Sequence, residues 1–218
     1  MNDVGSLRER LIDAGVELVL AEGSASVGLR EIARRAGVSH GAPRRYFPTH
    51  HALLSAIAQR GFADLGARFQ QAIAGTASPR AQVRAVARAY LGYALECRGM
   101  FELMFRHDLL DSDRHASGER QLRESSVPLF EGVVALVARC RTGQDGPASA
   151  AVTAAALWAN LHGLAQLWAW GSLQLITGAT AGGGVDVGGG VGGGVDGEES
   201  LDRLLAAVLE AHLGPVPE

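Results

Sequence analysis

The sequence predicts an all-α protein, with a short N-terminal unit of three helices followed by a larger helical body. Three observations carry that expectation. Apolar residues recur at i, i+3, i+4 spacing in segment after segment, which is the period of a helix face. Ser, Thr or Pro stands ahead of several of these runs and Gly behind them, as helix starts and stops require. Residues 28–54, GLREIARRAGVSHGAPRRYFPTHHALL, read as two short helices joined by a tight turn and then the start of a long third.

At 218 residues the chain is long enough for one or two domains with a sizeable core. Every cationic side chain is Arg and none is Lys, a bias that arginine-rich codon usage explains without function. Cys97 and Cys140 form no pattern and are expected as reduced thiols in a cytoplasmic protein.

Residues 1–5 are expected to fray. Ser6 and Glu9 make an S-x-x-E capping box, and Leu7, Leu11, Ala14 and Leu18 give a stripe down a helix ending near Gly23. The next helix runs from about Gly28 to Arg35, with Leu29, Ile32 and Ala33 on one face and Gly37 as its stop. Val38 plugs the turn, Ser39 caps, and a second short helix covers His40 to about Tyr46. Pro43 falls near its first turn and predicts a short, tight element. A helix, a Gly-containing turn and a second short helix form a helix-turn-helix, whose second helix enters the DNA major groove. Charge agrees. Between Gly28 and Arg60 six arginines, Arg30, Arg34, Arg35, Arg44, Arg45 and Arg60, stand against one acid, Glu31, although the whole chain carries a net charge of −3. A local basic face on an acidic chain is the footprint of a phosphate-binding surface.

The stretch LREIARRAGVSHGAPRRYFPTHHALLSAIA resembles the DNA-binding domain of TetR-type transcriptional repressors. That family pattern is a helix ending in AGVS, a recognition helix of six or seven residues, an aromatic residue, and a Ser/Thr-capped helix with a basic residue and Leu-Leu. The resemblance covers residues 6–60. Two positions depart from it: Arg44 stands where a phosphate-contacting tyrosine is usual, and His50 where lysine is usual.

The groove-facing set is Ser39, His40, Gly41, Ala42, Arg44 and Arg45. Gly41 and Ala42 are small enough for close approach, Ala42 suits a thymine methyl, and an Arg suits a guanine edge. Tyr46 is expected to contact phosphate through its hydroxyl, and Phe47 to anchor the core. Arg30 resembles the family position that reaches phosphate or a base. Thr49 caps the following helix, whose first amides receive a phosphate beside His50.

That helix continues through Leu53, Leu54, Ile57, Ala58, Phe62 and Leu65 to about Ala74. Ser78 and Pro79 open the next, which carries Val83, Val86, Ala87, Tyr90, Leu91 and Ala94 inward and breaks at Gly99. Met100, Phe101, Leu103, Met104 and Phe105 form a dense apolar cluster. His107, Asp108, Asp111, Asp113 and His115 match no zinc spacing, and a polar loop there needs no metal. A helix from about Arg114 to Arg141 is expected to kink or split at Pro128, and Gln144–Pro147 to loop. Residues 148–176 are apolar enough to suggest a membrane span. Asn160, His162 and Gln166 on successive turns, with no flanking cations, favour a helix buried between its own core and a partner subunit.

Trp158, His162 and Gly163 make W-x-x-x-H-G, which resembles the C-terminal domain of one TetR subgroup, the WHG type. One reading is a packed Trp beside a hydrogen-bonded core His. The other is an effector pocket of Tyr90, Tyr93, Met100, Phe101, Met104, Trp158 and His162, suited to a small hydrophobic or aromatic molecule. Residues 178–197 are a Gly-rich repeat, read as a flexible linker reaching roughly 25 Å. Leu201, Leu204, Leu205, Val208, Leu209 and Leu213 line a last amphipathic helix.

The resemblance implies residues 1–50 as the helix-turn-helix domain, 51–77 as a connecting helix and 78–218 as an effector-binding and dimerisation domain. It also implies a cytoplasmic, ligand-responsive repressor that binds a near-palindromic operator on double-stranded DNA as a homodimer. The last two helices of each subunit would form the dimer interface, and the linker inserted between them would let the final helix swap between subunits or dock loosely. Rotation of the connecting helix would change the separation of the two recognition helices. No catalytic residues, cofactor, metal or membrane contact are expected. A DNA-binding protein of the same fold with a chromosome-associated role is the alternative. An enzyme would need a nucleophile–base pair that the sequence does not offer.

Overall fold

The computed structural model describes residues 4–24, 28–106, 118–140, 147–177 and 195–215, and the described residues are helical with no strand. In chain order the helices are α1 (Val4–Glu22), α2 (Leu29–Arg35), α3 (His50–Ile73), α4 (Pro79–Glu96), α5 (Arg98–Phe105), α6 (Gly118–Cys140), α7 (Pro147–Ala169), α8 (Ser172–Thr177) and α9 (Val195–Leu213). A single 3-10 turn, Pro43–Arg45, stands between α2 and α3. The His107–His115 cluster and most of the Gly-rich segment lie outside the described residues.

The chain forms two compact units. The first contains residues 1–68 and 96–131, the second residues 69–95 and 132–218. These limits differ from the division at residues 50 and 77 read from the sequence, because α5 and the start of α6 cluster with the N-terminal helices.

In the first unit α1 packs on α2 and α5. Leu11, Leu18, Ile32, Leu53, Ile57, Leu65, Met100, Leu103 and Met104 are fully buried there. Helix α1 starts at Val4, so Ser6 lies inside it and not at its N-cap. The Glu9 carboxylate is taken instead by Arg8 at 3.0 Å and by Arg60. The break before α5 comes at Cys97 (φ −112°, ψ 43°), two residues ahead of the expected Gly99. Gly99 serves close approach: a Cβ there would sit 2.4 Å from the Val19 carbonyl oxygen. Helix α6 is not split at Pro128. Pro128 and Glu124 are both exposed, so the carbonyl that loses its donor meets water.

In the second unit α7 packs on α8 and α9. Ala150, Ala154, Leu157, Leu161, Leu164, Ala165 and Trp168 follow a 3–4 residue spacing along α7 and are all buried. Gly171, at φ +76°, divides the long apolar segment into α7 and α8, where one helix was expected. No described helix is long and apolar enough to cross a membrane. Helix α9 begins at Val195, so residues 195–197, expected as linker, form its first turn. Glu198 and Glu199 follow at once, and acids near a helix start oppose the positive dipole end.

Candidate nucleic-acid interface and effector core

Helix α2 forms as its sequence dictates. Gly28 is its N-cap in an extended conformation (φ −97°, ψ 143°), and Ile32 and Ala33 bury its apolar side. It ends in paired bonds, Val38 N–H to the Ala33 carbonyl at 2.9 Å and Gly37 N–H to that of Arg34 at 3.2 Å. This closure needs a left-handed residue, and Gly37 has φ +69°. Arg10 of α1 donates to the Ala36 carbonyl at 2.7 Å, and Arg8 lies 5.4 Å from the centroid of the Phe47 ring. The first helix thereby braces the turn from behind.

The expected recognition helix over His40–Tyr46 is shorter than predicted. Ala42 N–H bonds the Ser39 carbonyl at 3.0 Å, and Pro43–Arg45 then wind as a 3-10 turn. Pro43 has no N–H for an α-helical bond, and its ring would crowd the Ser39 carbonyl four residues back. The chain therefore closes with i→i+3 bonds, Arg45 to Ala42 and Tyr46 to Pro43. Three residues per turn separate successive side chains by about 120°, so Arg44 and Arg45 leave the turn in different directions. Phe47 is buried, as expected of an anchor. The Thr49 hydroxyl oxygen accepts the Ala52 N–H at 3.0 Å and caps α3.

All ten residues expected at DNA belong to the first unit. Arg30, Ser39, His40, Gly41, Arg44 and Arg45 are exposed, while Ala42, Tyr46, Thr49 and His50 are half-buried. The arginines divide into two classes. Arg34 and Arg35 both clasp Glu31, at 2.6 and 3.1 Å, Arg35 also binds Glu22, and Arg60 binds Glu9. The bonds from Arg34, then Arg35, hold the Glu31 carboxyl down at about 2. Among the described residues Arg30, Arg44 and Arg45 make no ion pair. Internal pairing consumes three of the six arginines and leaves the two on the turn and Arg30 for an external anion.

The expected pocket residues fall in both units. Met100, Phe101 and Met104 are buried in the first, where the methionine side chains pack on Gly61 of α3 and Phe101 meets Phe105 edge-on at 4.9 Å. Tyr90, Tyr93, Trp158 and His162 belong to the second. There Trp158 Nε1 donates to the Tyr90 hydroxyl at 3.0 Å, and that hydroxyl stands 2.9 Å from His162 Nδ1. Burial pushes the Tyr90 hydroxyl pKa up, partly offset by the Trp158 bond, and pulls that of His162 below its ordinary value. Among the described residues no group of three or more His, Cys, Asp or Glu is placed to hold a metal ion.

Residues 11–57 match the family "Bacterial regulatory proteins, tetR family", and residues 83–181 match "Tetracyclin repressor-like, C-terminal domain". The HTH-type transcriptional activator FasR of Mycolicibacterium smegmatis is 26% identical over 132 residues. That match spans 61% of this chain and 59% of the relative. A Rhodococcus sp. RHA1 protein of unknown function has a similar structure, with 28% identity, a TM-score of 0.68, and coverage of 97% of this chain and 96% of that one. FadR of Bacillus subtilis, in complex with stearoyl-CoA, shares the fold at 14% identity and a TM-score of 0.60, covering 95% and 99%. The chain belongs to the TetR family: it is a DNA-binding transcriptional regulator and not an enzyme.

Proposed function

We propose that the chain is a ligand-responsive repressor that acts in the cytoplasm as a homodimer on a near-palindromic operator, and that a small hydrophobic effector releases it. The observation that carries the reading is the division of the arginines: the turn at 39–46 holds Arg44 and Arg45 without internal partners, and α2 adds Arg30. One of the turn arginines reads a base edge and the other positions on phosphate, as their separate directions suggest.

The second copy docks on α7. Val152 (70% exposed), Leu167 (40%) and Trp170 (63%) lie with exposed Ala156 and Ala159 on one line of helical spacing, opposite the buried face. Apolar surface of this kind marks a partner site. Two recognition turns brought together in this way address half-sites about 34–36 Å apart, one helical turn of DNA. Residues 1–50 serve as the reader, and 78–218 supply effector binding and dimerisation. FadR holds stearoyl-CoA in this fold, which supports an apolar effector class.

The test is selection of a randomised duplex library by the full chain, with the Arg44→Ala, Arg45→Ala double variant in parallel. Recovery of a two-fold-symmetric motif by the wild type alone is the expected result. Equal enrichment by both proteins would remove the reader assignment, and many scattered sites without symmetry would favour a chromosome-associated role. Placing the recovered duplex before a reporter gene then reads the sign of regulation. A fall in expression is expected; a rise would make the protein an activator, as FasR is named.

A further inference from the structure

Ala36 closes α2 and stands just ahead of the turn that begins at Ser39. Its N–H bonds the Ile32 carbonyl at 2.9 Å, but no backbone N–H among the described residues returns to its own carbonyl. The group that meets that oxygen is the Arg10 guanidinium of α1, which donates to it at 2.7 Å. The carbonyl end of a helix carries partial negative charge, so a cation there makes a strong bond. The two arginines in the last turn of α2 do not supply it, because Arg34 is bound to Glu31, and Arg35 to Glu31 and Glu22. Arg10 makes no ion pair among the described residues, so no acid competes with the Ala36 carbonyl for it.

The far end of the turn is held from the same helix. Phe47 is buried, and the Arg8 guanidinium lies 5.4 Å from the centroid of its ring, within cation–π range. Arg8 also bonds Glu9 at 3.0 Å, which limits where its side chain can go. Between these two holds the chain has little stiffness of its own. Gly37 stands at φ +69° with nothing near the position of a Cβ, so no packing fixes the chain there. Pro43–Arg45 form one 3-10 turn, whose hydrogen-bond geometry is poorer than that of an α-helix. Pro43 is buried and anchors its middle. An element this short takes its direction from what fixes its ends.

We propose that Arg10 and Arg8 are positioning residues of the DNA reader: Arg10 through the Ala36 carbonyl and Arg8 through the Phe47 ring fix both ends of the turn against α1, and sequence selectivity depends on them. The proposal rests on residues 39–46 being the reader described above. Arg44 and Arg45 stand between the two holds and are exposed. A tilt of the turn moves both guanidinium groups relative to the bases, and bidentate readout of a base edge demands a narrow geometry. Phosphate contact is more forgiving, because it needs charge within reach and little direction. Loss of a hold should therefore cost selectivity before it costs affinity for DNA in general.

The test uses the full chain, labelled with carbon-13 and nitrogen-15, as wild type, Arg10→Met, Arg10→Lys and Arg8→Met. The Ala36 carbonyl carbon and the Gly37 amide share one peptide group, so their resonances report the bond without DNA. They should move in Arg10→Met and return towards the wild-type positions in Arg10→Lys, since an ammonium can donate to the same carbonyl. Affinity is then measured across a salt series for the selected operator and for a scrambled duplex. Arg10→Met should lower operator affinity by about tenfold, and Arg8→Met by about threefold. Affinity for the scrambled duplex and both salt slopes should stay as in the wild type, and Arg10→Lys should recover most of the loss. Unmoved resonances in Arg10→Met, or wild-type selectivity in both Met variants, would overturn the proposal. So would a salt slope smaller by about one on both duplexes in Arg10→Met, which would make Arg10 a phosphate contact. Failure of the wild type to select any duplex would remove the reader assignment and the proposal with it. The resonances tell that failure apart from loss of the Arg10 bond.

Discussion

The turn at 39–46 and the outer face of α7 are left over from folding in opposite ways. On the turn, what remains is charge: the neighbouring arginines are spent on Glu31, Glu22 and Glu9, while Arg44 and Arg45 are not. On α7, what remains is apolar area. Its inner face is fully packed, and its outer face carries Val152, Ala156, Ala159 and Leu167 into solvent. The comparison teaches that a partner's chemistry can be read from the unused valence of a surface after internal pairing is subtracted. A polyanion suits the first surface, and a second apolar surface suits the other. The forces also differ in range, since phosphate contacts weaken with salt and apolar burial does not.

The largest effect should come from charging the α7 face. In Ala156→Glu, Ala159→Glu each copy brings two carboxylates to the assigned interface, and like charges brought out of water cost far more than the small methyl groups they replace. The double variant should run as a monomer by light scattering at micromolar concentration, with helical content unchanged. Operator affinity should fall by at least about a hundredfold, because half of the contacts are lost. A dimeric variant with wild-type affinity would move the interface elsewhere.

A smaller effect should separate the two arginine classes. Arg44→Ala should reduce the slope of log affinity against log salt by about one if it meets phosphate, or cost about 1–3 kcal/mol at one base position if it reads an edge. Arg34→Ala removes a cation that Glu31 already neutralises, so the slope should barely move. Equal slopes for the two variants would erase the distinction between spent and unspent arginines.

The parts legible in sequence were those fixed by local chemistry. The Gly37 stop is set by the left-handed range of glycine and the Thr49 cap by its hydroxyl, and both, with the N-cap at Gly28, stand where the spacing put them. The second helix of the reader is shorter than His40–Tyr46 because Pro43 has no N–H for an α-helical bond, and Pro43–Arg45 close as a 3-10 turn. The Glu31 pairs lie at i+3 and i+4, a spacing that lets one acid neutralise Arg34 and Arg35 on the surface of α2. The Arg60–Glu9 pair spans 51 residues, and the Tyr90–Trp158 bond 68, so only the fold reveals them. Trp158 and His162 were legible as neighbours on one helix and Tyr90 as their companion, but that its hydroxyl bonds both of them was not. The same limit applies to Met100 and Met104, whose companion is Gly61 on α3.

The smallest effect concerns Glu31, and it sharpens the comparison from the acid side. Its carboxyl is held at about 2 by the bonds from Arg34 and Arg35, against an ordinary value of 4.5. A carboxyl with a lowered folded-state pKa contributes stability that is complete above its unfolded value and is lost as pH falls through the folded one. The clasp should therefore be intact above about pH 4.5 and released between there and about pH 2. Because Glu31 is on the surface, solvent screens the contribution and its size in stability is small. Its effect on DNA binding is the more telling quantity. Glu31→Gln at neutral pH leaves Arg34 without its acid while Arg35 keeps its pair with Glu22, so Arg34 becomes available beside Arg30. Non-specific affinity for duplex DNA should then rise, with a salt slope steeper by up to about one, while selectivity among sequences falls. Titrating that slope in the wild type and in Glu31→Gln checks the prediction. An unchanged slope would show that Arg34 points away from DNA whether paired or not, and that the direction of α2, not the acid on it, chooses which arginines reach phosphate.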